Sequence, residues 1–142
     1  MNKYLEMKKE REKSLNKLPF FAAFSKKDFE EGLKKVGGLK PGEKVIMICN
    51  GVFIKKSDYP KFKKHREKSN KLMEEGLKDP EFAYDAFYYE LGNHEFFLSY
   101  NDPRDTLESL GLTEEEVNNN EVLKNAFKKA KHDYLKYCRE NC

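Results

Sequence analysis

The stretch that decides the fold class is Val45-Ile46-Met47-Ile48-Cys49-Asn50-Gly51-Val52-Phe53-Ile54. It is a nearly uncharged, β-branched run in a chain where 37% of residues are charged. Asn-Gly at its centre favours the positive φ angles of a two-residue hairpin turn. Two short strands are therefore expected over about 45–54, with helices packed around them. Two strands alone are marginal. The hairpin is expected to be held by a helix over 80–98 and by the C-terminal helix, or to gain Phe96 to Tyr100 as a third strand.

Outward from the hairpin the pattern turns helical. Upstream, residues 2–17 contain good helix formers with sparse apolar positions (Tyr4, Leu5, Met7, Leu15), so a helical arm over 1–17 without firm docking is expected. Pro19 ends it, and Phe20 to Phe24 reads as a buried connector. Ser25 with Asp28 three residues on is an N-cap pattern. Phe29, Leu33 and Val36 mark one face of the helix that follows, and Gly37-Gly38 ends it.

Downstream, Ser57 or Asp58 starts a helix that runs to about Leu77. Asp79-Pro80 starts the next, with Phe82, Ala83, Ala86, Phe87, Leu91, His94 and Leu98 in helical register. Gly92 leaves open an earlier stop. Asp102-Pro103 reads as a cap and first turn, Gly111 as a stop, and Thr113 with Glu116 as a capping box. Val122, Leu123, Ala126, Phe127, Ala130, Tyr134, Tyr137 and Cys138 form the apolar face of a last helix. The expected class is α+β, a small β-hairpin packed by four to six helices, in one domain over 18–142.

Composition narrows the function classes. Aromatic residues make up 13% of the chain, without Trp, and supply the core. The net charge of +3 hides a segregated layout. Residues 79–121 carry twelve acids against Arg104 alone, a balance of −11, whereas 55–78 balance at +5 and 122–142 at +4. Such a layout suits electrostatic steering of a partner, and oppositely charged neighbouring helices explain it as well.

Cys49, Cys138 and Cys142 lack zinc-ligand spacing and read as reduced thiols. No apolar run reaches membrane-spanning length and the first residues lack a signal-peptide core, so a soluble cytoplasmic protein without membrane contact is expected.

The chemistry-bearing patterns are few. Glu90 and His94 are four apart on a helix, with Glu95 adjacent, as a metal pair or acid–base pair requires. A histidine on an apolar face bonded to a carboxylate fits the same spacing. Lys61, Lys64, Lys68 and Lys71 form a basic stripe, open to phosphate contact or to plain solvation. No phosphate-binding glycine loop and no nucleophile elbow is present. No catalytic residue and no cofactor is called for.

Four stretches in order carry a family resemblance. They are Phe20-Phe21-Ala22-Ala23-Phe24-Ser25 leading into Phe29-Glu30-Glu31-Gly32; Gly51 to Tyr59; Tyr89-Glu90-Leu91-Gly92-Asn93-His94-Glu95; and Leu110-Gly111-Leu112-Thr113. Over roughly 18–130 the chain resembles an uncharacterised family of small proteins from bacteriophages and bacterial mobile elements, the N-terminal arm lying outside the match. The resemblance implies genomic context and no activity.

With it, the expected function is a non-enzymatic accessory protein that binds a host or defence protein, in its most concrete form an anti-defence inhibitor. The expected contact surface is acidic: Asp102, Asp105, Glu108, Glu114, Glu115 and Glu116. The alternative is a nucleic-acid-binding regulator that uses the basic stripe at 61–71.

Overall fold

The computed structural model describes residues 2–141. It is mostly helical α+β, with seven α-helices and a three-stranded antiparallel sheet among the described residues. In chain order these are α1 (Lys3–Asn16), β1 (Phe20–Ala22), α2 (Lys26–Lys35), β2 (Val45–Cys49), β3 (Val52–Lys55), α3 (Tyr59–Gly76), α4 (Pro80–Asn93), α5 (Arg104–Ser109), α6 (Glu114–Asn118) and α7 (Glu121–Asn141). Short 3-10 turns occupy Lys56–Asp58 and Phe96–Leu98. The chain divides into two compact units, one of residues 10–69 and one of residues 1–9 with 70–142.

The hairpin forms in the 10–69 unit about the expected Asn50-Gly51 turn. Its third strand, however, is Phe20–Ala22 and not a connector, and Phe96 to Tyr100 is neither strand nor continued α-helix. The sheet order is β1-β3-β2, so β3 is central. Phe21 pairs with Phe53, and Met47 pairs with Phe53 from the other side.

Residues paired directly across neighbouring strands share a face of the sheet. There the rings of Phe21, Phe53 and Phe29 from α2 meet at 5.2–5.7 Å between centroids. Gly32 of α2 sits directly against the Phe21 ring, with no room for a side chain. Only Gly51 of the turn has positive φ (78°), so the turn is not the form in which both central residues are left-handed. A register irregularity between Met47 and Cys49 adds the twist that form would have supplied.

The second unit is helix on helix. Asp79 caps α4 by accepting from Glu81 N at 3.1 Å, with Pro80 in its first turn. Ala83, Ala86 and Phe87 of α4 and Ala130 of α7 have no exposed surface. Small residues on both helices let the axes approach, and Phe87 meets Phe127 edge-on at 5.0 Å.

The buried positions of α7 are Leu123, Ala126, Ala130, Tyr134 and Cys138, spaced by three and four. Tyr137, assigned to that face from its spacing, is instead exposed. Cys142 lies outside the described residues. No helix among the described residues is long and apolar enough to cross a membrane.

The arm expected to dock weakly does dock at one point. Tyr4 is 1% exposed and belongs to the buried cluster of the helical unit. An aromatic body with a polar tip can bury its ring while its hydroxyl finds a partner.

Candidate functional site

The acidic segment is built from two short helices pinned by a few buried side chains. Thr106, Leu107 and Leu110 anchor α5, and Val117 anchors α6. Asp105, Glu108, Glu114, Glu115 and Glu116 are all exposed, and Asp102 is half-buried. The six carboxylates are not equally available. Arg104 binds Asp102 through Nε at 3.1 and 2.9 Å and Nη2 at 2.7 Å, which holds that carboxyl below its ordinary value and cancels its charge locally.

Glu114, Glu115 and Glu116 occupy the first turn of α6, where the helix dipole favours acids. Thr113 caps the turn, but the reciprocal bond goes to its hydroxyl and not to its backbone N–H as in a full capping box. Its Oγ1 accepts from Glu116 N at 3.1 Å and donates to Glu116 Oε1 at 3.2 Å. Glu114 also lines a groove of 460 Å³ with Lys124, Lys128 and Lys131 of α7. Acidic and basic helices do lie side by side there. Asp105, Glu108 and Glu115, like Glu114 and Glu116, form no ion pair among the described residues, and these three lie outside both the groove and the cap.

Glu90 and His94 sit on one face of the end of α4, with Glu90 Oε2 at 3.2 Å from His94 Nε2. That contact lacks hydrogen-bond geometry, and the buried Nε2 has no hydrogen-bond partner among the described residues. Glu90 itself is 2% exposed and densely partnered. It accepts from Tyr4 Oη at 2.6 Å, Asn93 Nδ2 at 3.2 Å, Ser109 Oγ at 3.3 Å and Lys8 Nζ at 3.4 Å.

Burial pushes the Glu90 carboxyl up. The hydrogen bonds from Tyr4 and Asn93 and the charge of Lys8 outweigh that and hold it below its ordinary value. Glu95 does not join the pair: it is exposed, in a left-handed conformation just past the helix. No group of three His, Cys, Asp or Glu side chains that could hold a metal occurs among the described residues. The arrangement ties Tyr4 and Lys8 of α1, the end of α4 and Ser109 of α5 to one buried charge.

The basic stripe is laid out as its spacing predicts. Lys61, Lys64, Lys68 and Lys71 are all exposed on α3. Only Lys61 has an ion-pair partner among the described residues, Asp58 at 3.4 Å. Tyr59 and Phe62 are partly buried near its start, so they are not free stacking platforms.

Sequence reasoning missed two features. The Tyr4–Glu90 bond spans 86 positions and has no local signature. A lone aromatic among lysines and glutamates was its one available signal. The other is the segment Phe97, Leu98 and Tyr100, which stands exposed after α4 where a helix or a strand is expected.

No curated protein and no solved structure matches the chain. A family model does match, and it begins at residue 3, so the N-terminal arm lies inside the family region and not outside it. That model, DUF7659, described as a family of unknown function, matches residues 3–133, and the chain belongs to this family.

Proposed function

We propose that this protein acts by binding a basic surface of a protein partner through the acidic face of α5 and α6, without chemistry of its own. The observation that carries this reading is the set of exposed carboxylates at Asp105, Glu108 and Glu115, which have no ion-pair partner among the described residues. The helix dipole accounts for acids in a first turn, as at Asp105 and Glu115, and a basic partner would be steered and oriented by the charge left exposed there. In the most specific form of this reading, the protein is a bacteriophage or mobile-element accessory factor and the partner is a host or defence protein that it inhibits. That form is supported by the sequence resemblance alone.

The test is affinity capture from a bacterial host, with wild-type protein compared to an Asp105→Lys, Glu108→Lys, Glu115→Lys variant. A protein retained by the wild type at low salt and lost by the variant is the expected result. Equal retention by both removes the acidic face from the proposal. Glu114 and Glu116 are left intact because they belong to the groove and the cap of α6, where reversal would also unsettle the fold.

A second reading keeps one observation of its own. Lys64, Lys68 and Lys71 are exposed without an ion-pair partner among the described residues, so the stripe is free to contact phosphates. Binding of duplex or single-stranded oligonucleotides that weakens with salt, and weakens again when these lysines become alanine, selects this reading. No affinity at low salt discards it.

A further inference from the structure

Three non-glycine residues have positive φ among the described residues: Glu95 (49°), Tyr100 (56°) and Asn101 (60°). All three fall in the short segment between α4 and α5. Asn tolerates this conformation, whereas Glu and Tyr adopt it only against steric strain. The segment is nonetheless well tied. Phe96 is buried and its ring lies 6.4 Å from that of Tyr134. Ser99 Oγ lies 2.9 Å from the carbonyl oxygen of Phe96 and 3.3 Å from that of Asp102. Leu98 N donates to Glu95 O at 2.8 Å, and Asp102 N to Ser99 O at 3.2 Å.

This ordered, strained backbone holds its apolar side chains outward. Phe97 is 46% exposed, Leu98 69% and Tyr100 100%. Leu98 and Tyr100 gain little or no burial within the chain from that arrangement. Backbone strain held by its surroundings gathers at ligand clamps, and preorganised aromatic and aliphatic side chains are the usual anchors of protein interfaces.

We infer that Phe97, Leu98 and Tyr100 form the apolar anchor of the acidic contact surface, and that they insert into an apolar pocket of the partner rimmed by Lys and Arg. This inference rests on the acidic-surface reading above. The charge around the anchor supports the choice of occupant. Glu95 is exposed at one end of the segment, and Asp105 and Glu108 are exposed just beyond the other. An apolar centre with a charged rim is the ordinary anatomy of an interface. The positive surface of the partner has a boundary too. Asn101 and Pro103 line the same groove as Lys124, Lys128 and Lys131, so the charge beside this segment turns positive on its α7 side.

The probe is a random linear peptide library selected on the full-length protein, with the enriched peptides then titrated by fluorescence anisotropy. The expected result is peptides that combine Lys or Arg with Leu, Phe or Trp. They should lose about tenfold or more in affinity for both Leu98→Ala and Tyr100→Gly. Tyr100→Gly relieves the left-handed strain, so its thermal midpoint should be unchanged or higher, and lost binding then reflects the lost side chain and not a lost fold.

Library failure to enrich any peptide, or enriched peptides that bind Leu98→Ala and Tyr100→Gly as tightly as wild type, overturns the anchor. If those same peptides weaken for Asp105→Lys, Glu108→Lys, the acidic reading stands without the anchor. If they ignore both sets of variants, both readings fall. Peptides that depend on Leu98 and Tyr100 but not on the acids overturn the assignment of a basic partner.

Discussion

Glu90 is where single side chains matter most to the helical unit. Tyr4→Phe removes a buried hydrogen bond to a carboxylate and is expected to cost about 1.5–3 kcal/mol by urea unfolding. Glu90→Gln keeps the shape but loses the charge that Lys8 faces, and about 1–3 kcal/mol at neutral pH is expected. The pH dependence has a defined sign. The folded carboxyl titrates below its ordinary 4.5, so its contribution is fully present above that value and is lost as pH falls through the lowered folded value. The stability gap between wild type and Glu90→Gln should therefore be flat from about pH 5 upward and close on acidification. A gap that widens in acid would show that Glu90 does not fold as a paired anion. His94 at 3.2 Å was legible as a neighbour of Glu90 from its spacing of four. Tyr4 was not legible, because nothing local marks a partner on a distant helix.

The elements repeat that contrast. Caps are local, and they read correctly: Ser25 accepts from Asp28 N at 3.1 Å, Asp79 caps α4, and Thr113 with Glu116 closes the start of α6. Thr113→Ala is expected to cost about 1 kcal/mol, seen as earlier thermal unfolding of the helical signal. The third strand was not legible in this way. Phe20-Phe21-Ala22 has only three residues, too few to display alternation, and its strand character comes from the free edge of β3. Packing between α4 and α7 carries the larger energies. Phe87 is fully buried against Phe127, and Phe87→Ala should destabilise by about 3–5 kcal/mol. Tyr84 of α4 donates to Asp133 of α7 at 2.6 Å. Burial and that bond push the phenol well up, while the same bond holds the Asp133 carboxyl down.

Across the whole molecule the segregated charge predicts a weak salt response for stability and a strong one for association. Exposed ion pairs such as Lys3 with Asp79 at 3.1 Å and Lys78 with Glu75 at 3.1 Å contribute little each, so unfolding midpoints should move little between low and high salt. Association with a basic partner should slow by about tenfold or more over the same range, measured by stopped-flow or surface binding kinetics. An association rate that ignores salt would mean that the acidic face does not steer. The charge layout itself was legible by counting along the chain. Which carboxylates remain uncompensated was not, because that depends on Arg104 folding back on Asp102 and on α7 lysines beside Glu114.

The sequence by itself determined the helices, their caps, the hairpin at 45–54 and the separation of acidic from basic segments, since each follows from periodicity, turn chemistry or charge within a few residues. Only the tertiary structure decided the third strand, the docking of Tyr4 on Glu90, and the exposed Phe97, Leu98 and Tyr100. Apolar residues in a short run look alike whether they end up buried or exposed, and their burial is set by what packs against them from elsewhere in the chain.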